Sequence, residues 1–190
     1  MLEGITVGGK ALREHFEAIN HRNAIYYVED TIRKEESFSE WQIRNIHQLI
    51  LKNIDNDNAG RYRQQNVLIS GATSTPPDYT LLNDKMAQLI DWYNSEAHKL
   101  HPIERAAKVH ADFVGIYPFI DGNGRTSRLL MNLELLKAGY PPCVITVENR
   151  LAYYEALDQW MAYGKTETFI QLVSKAVLEG FKPYKLVLGI

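Results

Sequence analysis

Apolar residues recur three and four positions apart along almost the whole chain, a period that lets a helix bury one face and that suits no strand. Leu12, Phe16, Ile19, Ile25 and Val28 predict a helix from Lys10 to about Lys34, and Trp41, Ile43, Ile46, Leu49 and Ile50 predict a second. Leu82, Met86, Leu89, Ile90 and Tyr93 mark a third. Pro102, tolerated in a first helical turn, opens a fourth that continues through Ala106, Val109, His110, Phe113 and Val114. A fifth should start near Asn123-Gly124, bury Leu129, Leu130, Leu133 and Leu136, and stop where Gly139 takes a left-handed cap before Pro141-Pro142. Two more fit Asn149 to Tyr163 and Glu167 to Leu178, while the end of the chain from Lys182 reads as an apolar tail without helix signals. The one strand signal, Asn66 to Ser70, precedes a loop rich in Gly, Ser, Thr and Pro and suggests a short surface hairpin over about residues 66–78. An all-α bundle of about seven to eight helices with one small β-hairpin is therefore expected, as a single domain over residues 1–190.

At 190 residues, folding buries roughly 70% of the unfolded chain's surface, enough for one core without staples. The 21 Lys and Arg against 23 Asp and Glu give a net charge of −2, which argues against a basic nucleic-acid binder. Cys143 stands alone in an apolar run, so no disulfide framework or thiolate zinc site is expected, and core packing explains it. The N-terminus lacks a basic stretch followed by an apolar one, and no run of about 18 apolar residues occurs. A cytoplasmic protein without a membrane segment is the expectation.

The densest chemical signal is the run Tyr117-Pro118-Phe119-Ile120-Asp121-Gly122-Asn123-Gly124-Arg125-Thr126-Ser127-Arg128, between two apolar helices. Gly122 and Gly124 allow a tight turn and close backbone approach to a ligand, and the following helix offers unpaired N–H groups and the positive end of its dipole. Arg125 and Arg128, three residues apart, can reach one anion together. Asp121 is placed to hold a divalent cation that bridges phosphate oxygens. A polyphosphate with its metal satisfies all of these groups; a plain helix-entry turn with surface-paired arginines is the alternative.

From Pro118 to Arg128 this run resembles the signature of Fic-domain proteins, His-Pro-Phe-x-Asp/Glu-Gly-Asn-Gly-Arg-x-x-Arg, at every specified position. Similar flanks extend the resemblance over nearly the whole chain: residues 4–10, Gly60-Arg61-Tyr62-Arg63, the stretch from Ile69 to Pro77, the helix carrying Ala106, Ala107, His110 and Phe113, and Arg150 with Tyr153-Tyr154. The resemblance implies a helical Fic fold and, in active members, transfer of AMP from ATP to a hydroxyl of a target protein, with Mg²⁺ and release of pyrophosphate. Asp121 would then bind the metal; Gly122, Asn123 and Gly124 would form the anion hole; Arg125 and Arg128 would contact the β and γ phosphates. Ile69, Ser70, Gly71, Ala72, Thr73 and Ser74 would form a flap that docks an extended target segment by β-augmentation.

Tyr117 occupies the catalytic position where the signature has the proton-accepting histidine. An ordinary phenol with pKa near 10 keeps its proton at neutrality, and forming the phenolate at about pH 7 costs about 4 kcal/mol, roughly a thousandfold in rate. Arg125 and Arg128 would lower that cost and desolvation would raise it. AMP transfer is therefore expected to be impaired, with a non-catalytic nucleotide sensor or protein-interaction module as the rival; a packed aromatic whose hydroxyl caps a polar neighbour is the bland account of Tyr117. Among the histidines, His98 and His101 straddle the helix-breaking Leu100-His101-Pro102 and suggest a surface turn. His110 reads as a buried, hydrogen-bonded support for the signature, and His15, His21 and His47 lack a cluster that would complete a site. Many Fic proteins carry a regulatory Ser/Thr-x-x-x-Glu-Gly/Asn helix. Ser174 to Glu179-Gly180 approximates it with one residue too many, which leaves a preceding helix or a separate antitoxin-like inhibitor as the expected routes of control, and oligomerisation open.

Overall fold

The computed structural model describes residues 11–189; the 4–10 segment of the resemblance lies outside them. Among the described residues are eight α-helices: α1 Leu12–Arg33, α2 Glu40–Leu51, α3 Leu82–Ser95, α4 Pro102–Ile116, α5 Asn123–Lys137, α6 Arg150–Tyr163, α7 Glu167–Gly180 and α8 Lys182–Leu188. Short 3₁₀ turns precede and follow α3. Local chemistry explains the boundaries. The Ser39 hydroxyl accepts the Gln42 N–H at the start of α2, Pro102 sits in the first turn of α4, and Gly139 has φ 78° just beyond α5.

Two expectations need correction. Residues 66–70 form no strand, because no ladder partner lies beside them: Arg63 instead spends its guanidinium on main-chain carbonyls at both ends of this loop. What remains of the hairpin is its turn, where the Ala72 N–H reaches the Ile69 carbonyl at 3.2 Å and Gly71 has φ 79°. The tail from Lys182 is helical, with Pro183 in the first turn of α8 and Gly189 as its left-handed cap.

The antiparallel pair α4 and α5 runs through the centre and walls two apolar masses. On one side Val109, Phe113, Leu129, Leu130 and Leu133 pack with Val28, Ile43, Ile46, Ile50 and Met86 of α1 to α3. On the other, Ala107, Ala111, Met131 and Leu135 pack with Tyr153, Leu157, Phe169 and Val173 of α6 and α7. A largely buried ion pair with a phenol donor ties α3, α4 and α5 together: Arg105 Nε lies 2.7 Å from Glu134 Oε2, and the Tyr93 hydroxyl donates to Glu134 Oε1 at 2.7 Å. Glu134 is fully buried, so both oxygens need these partners. The loop from Tyr117 to Gly122 is the bend between the two central helices, and its position follows from both cores.

Candidate functional site

Helix α4 ends at Tyr117, whose backbone lies in the left-handed region (φ 49°, ψ 58°), strained for a bulky residue by about 1–2 kcal/mol. Its surroundings hold it there. The Tyr117 N–H bonds the Phe113 carbonyl at 3.0 Å, buried Arg63 donates from Nε to the Tyr117 carbonyl at 2.9 Å, and the Arg63 N–H reaches the Pro118 carbonyl at 2.9 Å. Asn123 is buried with its side chain turned inward, accepting the Phe119 N–H at 3.0 Å and donating to the Phe119 carbonyl at 2.7 Å. It braces the bend, so only its main-chain N–H is left for a ligand. The first helical bond of α5 is Thr126 N–H to the Gly122 carbonyl, which leaves the amides of Asn123, Gly124 and Arg125 without partners among the described residues.

Four charged groups meet at this helix start. Asp121 Oδ2 lies 2.7 Å from Arg13 Nη2 and 3.2 Å from Arg125 Nη2, while Glu17 Oε1 stands 3.3 Å from both Arg13 Nε and Arg125 Nη1. The last contact lacks hydrogen-bond geometry, so Arg125 Nη1 is a buried donor with no acceptor. Burial pushes the Asp121 carboxyl up, but the Gly122 N–H at 2.6 Å, Arg125 and Arg13 outweigh it and hold the group below its ordinary range. Asp121 therefore stays ionised. Among the described residues no set of three His, Cys, Asp or Glu groups surrounds a cation position. A metal held by Asp121 would take its other ligands from phosphate and water, which fits the donor preference of Mg²⁺.

His47 was left without a role by its sequence context and proves central to the loop. Its ring stacks on Phe119 (centroids 3.5 Å apart, 2° between planes). Nδ1 accepts the Gly60 N–H at 2.9 Å, which leaves the proton on Nε2 to be donated to the Asp121 carbonyl at 2.8 Å. Burial drives its pKa down to about 4, against the opposing pull of Asp121, so the neutral ring persists. Gly122, with φ 79°, sits against this ring: a Cβ there would lie 3.1 Å from His47 Nε2. Three further residues of the site carry no signal of their role in the sequence. Arg63 stands out only within the Gly60 to Arg63 stretch of the resemblance, and Arg13 and Glu17 belong to no motif. Being a polar residue on the apolar face of α2, beside Ile46 and Ile50, was the available signal for His47.

His110, His98 and His101 lie where the sequence places them. His110 is fully buried, with Nε2 2.9 Å from the Tyr153 hydroxyl, and burial lowers its pKa to about 3. His101 caps α4 and His98 sits in a 3₁₀ turn. Cys143 is buried, and burial lifts its thiol pKa to about 12. Glu179 of the near-copy regulatory motif pairs with Lys182.

A cavity of about 530 Å³ opens beside the helix start, walled by Tyr117, Gly124 and Arg128, by Ile69 to Ala72, and by Leu151, Tyr153, Tyr154, Leu157 and Met161. The loop tip is tied across it: Asp158 of α6 accepts the Thr73 N–H at 2.7 Å and the Thr73 hydroxyl at 2.6 Å. The structure thus brings together Tyr117, Gly124, Arg128 and Ile69 to Ala72 on this cavity, whereas Asp121, Gly122, Asn123 and Arg125 do not line it, Thr73 is spent on the tie and Ser74 faces a separate cavity with Trp92 and Lys108. Tyr117 makes no side-chain hydrogen bond among the described residues, so its hydroxyl caps no polar neighbour.

Two central helices joined by a glycine-framed, arginine-bearing bend define a class, and the sequence places the chain in it: residues 37–135 match the Fic/DOC family, to which this chain belongs. It is 41% identical over 173 residues to the protein adenylyltransferase Fic of Nematostella vectensis, covering 90% of this chain and 40% of that protein. With the protein adenylyltransferase fic-1 of Caenorhabditis briggsae it shares 36% identity over 175 residues, 90% of this chain and 34% of the relative. The solved structure of Fic-1 (residues 134–508) from C. elegans superposes with a TM-score of 0.87 at 34% identity, covering 99% of this chain and 56% of that one. The chain thus spans well under half the length of these curated relatives. No described helix is long and apolar enough to cross a membrane.

Proposed function

We propose that the cavity beside α5 binds ATP with Mg²⁺ and that the chain carries a protein adenylyltransferase centre, built to move AMP to a hydroxyl of a target protein and slowed by Tyr117. The observation that supports it best is the concentration of donors at one helix start: the free amides of Asn123, Gly124 and Arg125 and an Arg125 Nη1 with no hydrogen-bond acceptor, next to a cavity that Gly124 and Arg128 line. Bound Mg²⁺ would neutralise phosphate charge and polarise the phosphate oxygens. Asp121 would hold that metal after exchanging its contact with Arg13, and Arg125 and Arg128 would grip the outer phosphates. The loop from Ile69 to Ser74 would present a target segment along its main chain, in a cytoplasmic setting. His47 and Asn123 would keep the bend rigid, so that the amides do not reorganise during transfer.

Tyr117 supports a second reading, a nucleotide sensor that grips without transferring, because a phenol is a poor proton acceptor at neutral pH. Incubation with labelled ATP, Mg²⁺ and candidate target proteins, beside a Tyr117→His variant, separates the two. Label on target from both supports a slow enzyme; label from the variant alone supports the sensor. Arg125→Ala should weaken ATP binding by about 1.5–3 kcal/mol, the worth of a hydrogen bond to a charged group. Unchanged affinity there would remove the phosphate site from the proposal.

A further inference from the structure

We infer that the Tyr117 hydroxyl is itself an acceptor: with a magnesium-bound nucleoside triphosphate in the cavity, the chain transfers the nucleoside monophosphate onto Tyr117 once. This rests on the triphosphate reading above and goes beyond it by naming the acceptor atom. Two observations carry it. The backbone of residue 117 is immobilised in the left-handed conformation by Phe113 and Arg63, so its side chain is delivered to the cavity wall beside Gly124 and Arg128, at the helix start where phosphate would sit. Tyr153 and Tyr154, which border the same cavity, have engaged hydroxyls, on His110 at 2.9 Å and Arg150 at 3.4 Å, whereas that of Tyr117 is unengaged among the described residues.

The chemistry balances without a further reactant. The phenolic oxygen attacks the α-phosphorus and an O–P bond forms. The bond from that phosphorus to the oxygen bridging to the β-phosphate breaks, pyrophosphate departs, and the phenolic proton passes to water. A group that cannot take a proton from an incoming alcohol can still use its own oxygen, and fixation within one molecule raises its effective concentration above that of a free hydroxyl. The product fills its own cavity, so the reaction stops after one turnover.

The test uses the full chain with ATP and Mg²⁺, read by intact mass and by the tryptic peptide 109–125, in which Tyr117 is the only hydroxyl-bearing residue. The expected result is one AMP per chain on that peptide, an equal amount of pyrophosphate, and loss of calorimetric binding of a non-hydrolysable ATP analogue once the adduct has formed. Tyr117→Phe and Tyr117→His should both lack the adduct on that peptide while the calorimeter still registers the analogue. If the unmodified chain binds the analogue yet gains no mass, or gains it on Ser70 or elsewhere, the inference is overturned and the phosphate site stands. If calorimetry detects no binding at all, both fall together.

Discussion

His47 is a single neutral ring holding two main-chain segments, and its acid response can be worked out. Its folded pKa of about 4 lies below the ordinary 6.5, so the unfolded chain binds the proton more readily. The contribution is intact above about pH 6.5 and is lost progressively as pH falls towards 4, by about 3 kcal/mol in all. Urea midpoints measured across that range should fall with acidification, and more shallowly in His47→Gln; parallel curves would contradict the account. Arg13 makes a different prediction. Because its pair with Asp121 is half exposed, the contact is worth no more than about 1 kcal/mol, and Arg13→Ala should tighten Mn²⁺ binding, followed by paramagnetic resonance, by up to about fivefold. Weaker binding in that variant would make Arg13 a phosphate ligand instead of a competitor for Asp121.

At the scale of elements, the loop over the cavity is held at its foot by Arg63 and at its tip by Asp158, and the two ties differ in kind. The Thr73 hydroxyl and N–H keep the exposed Asp158 carboxyl below its ordinary pKa, so this tie is complete above about pH 4 and loosens as pH falls below that. Asp158→Ala should raise amide hydrogen exchange at Thr73 at neutral pH while moving global stability by less than about 0.5 kcal/mol. Exchange that stays slow would mean the loop is held from elsewhere. Much of this was readable beforehand, since α1 to α7 follow the apolar period, and the bend from Tyr117 to Arg128 stood out by composition alone. Residues 66–70 misled because Val67, Leu68 and Ile69 carry strand propensity that only a neighbouring strand could have used. Helix α8 escaped notice because it buries no side chain and so shows no apolar face, although Pro183 and Gly189 punctuate it as a helix. The roles of His47, Arg63 and Asp158 depend on contacts spanning 74, 54 and 85 residues, which no local pattern records.

Across the whole molecule, the Arg105–Glu134–Tyr93 triad joins three helices inside the protein, and replacing Arg105 or Glu134 strands a charge. Glu134→Ala should cost about 3–5 kcal/mol in thermal or chemical unfolding, whereas Glu134→Gln, which keeps one acceptor for a partner, should cost less. Equal losses would show that packing, not charge, dominates there. The sharing of α4 and α5 between two apolar masses has a wider bearing. A substitution that loosens Phe169 or Val173, far along the chain from the glycine bend, acts on the same two helices as one beneath Phe119. Variants that lose ligand grip on modest heating should therefore scatter over both halves of the protein rather than cluster around the crevice, and a map of temperature-sensitive alleles would look like a map of its interior.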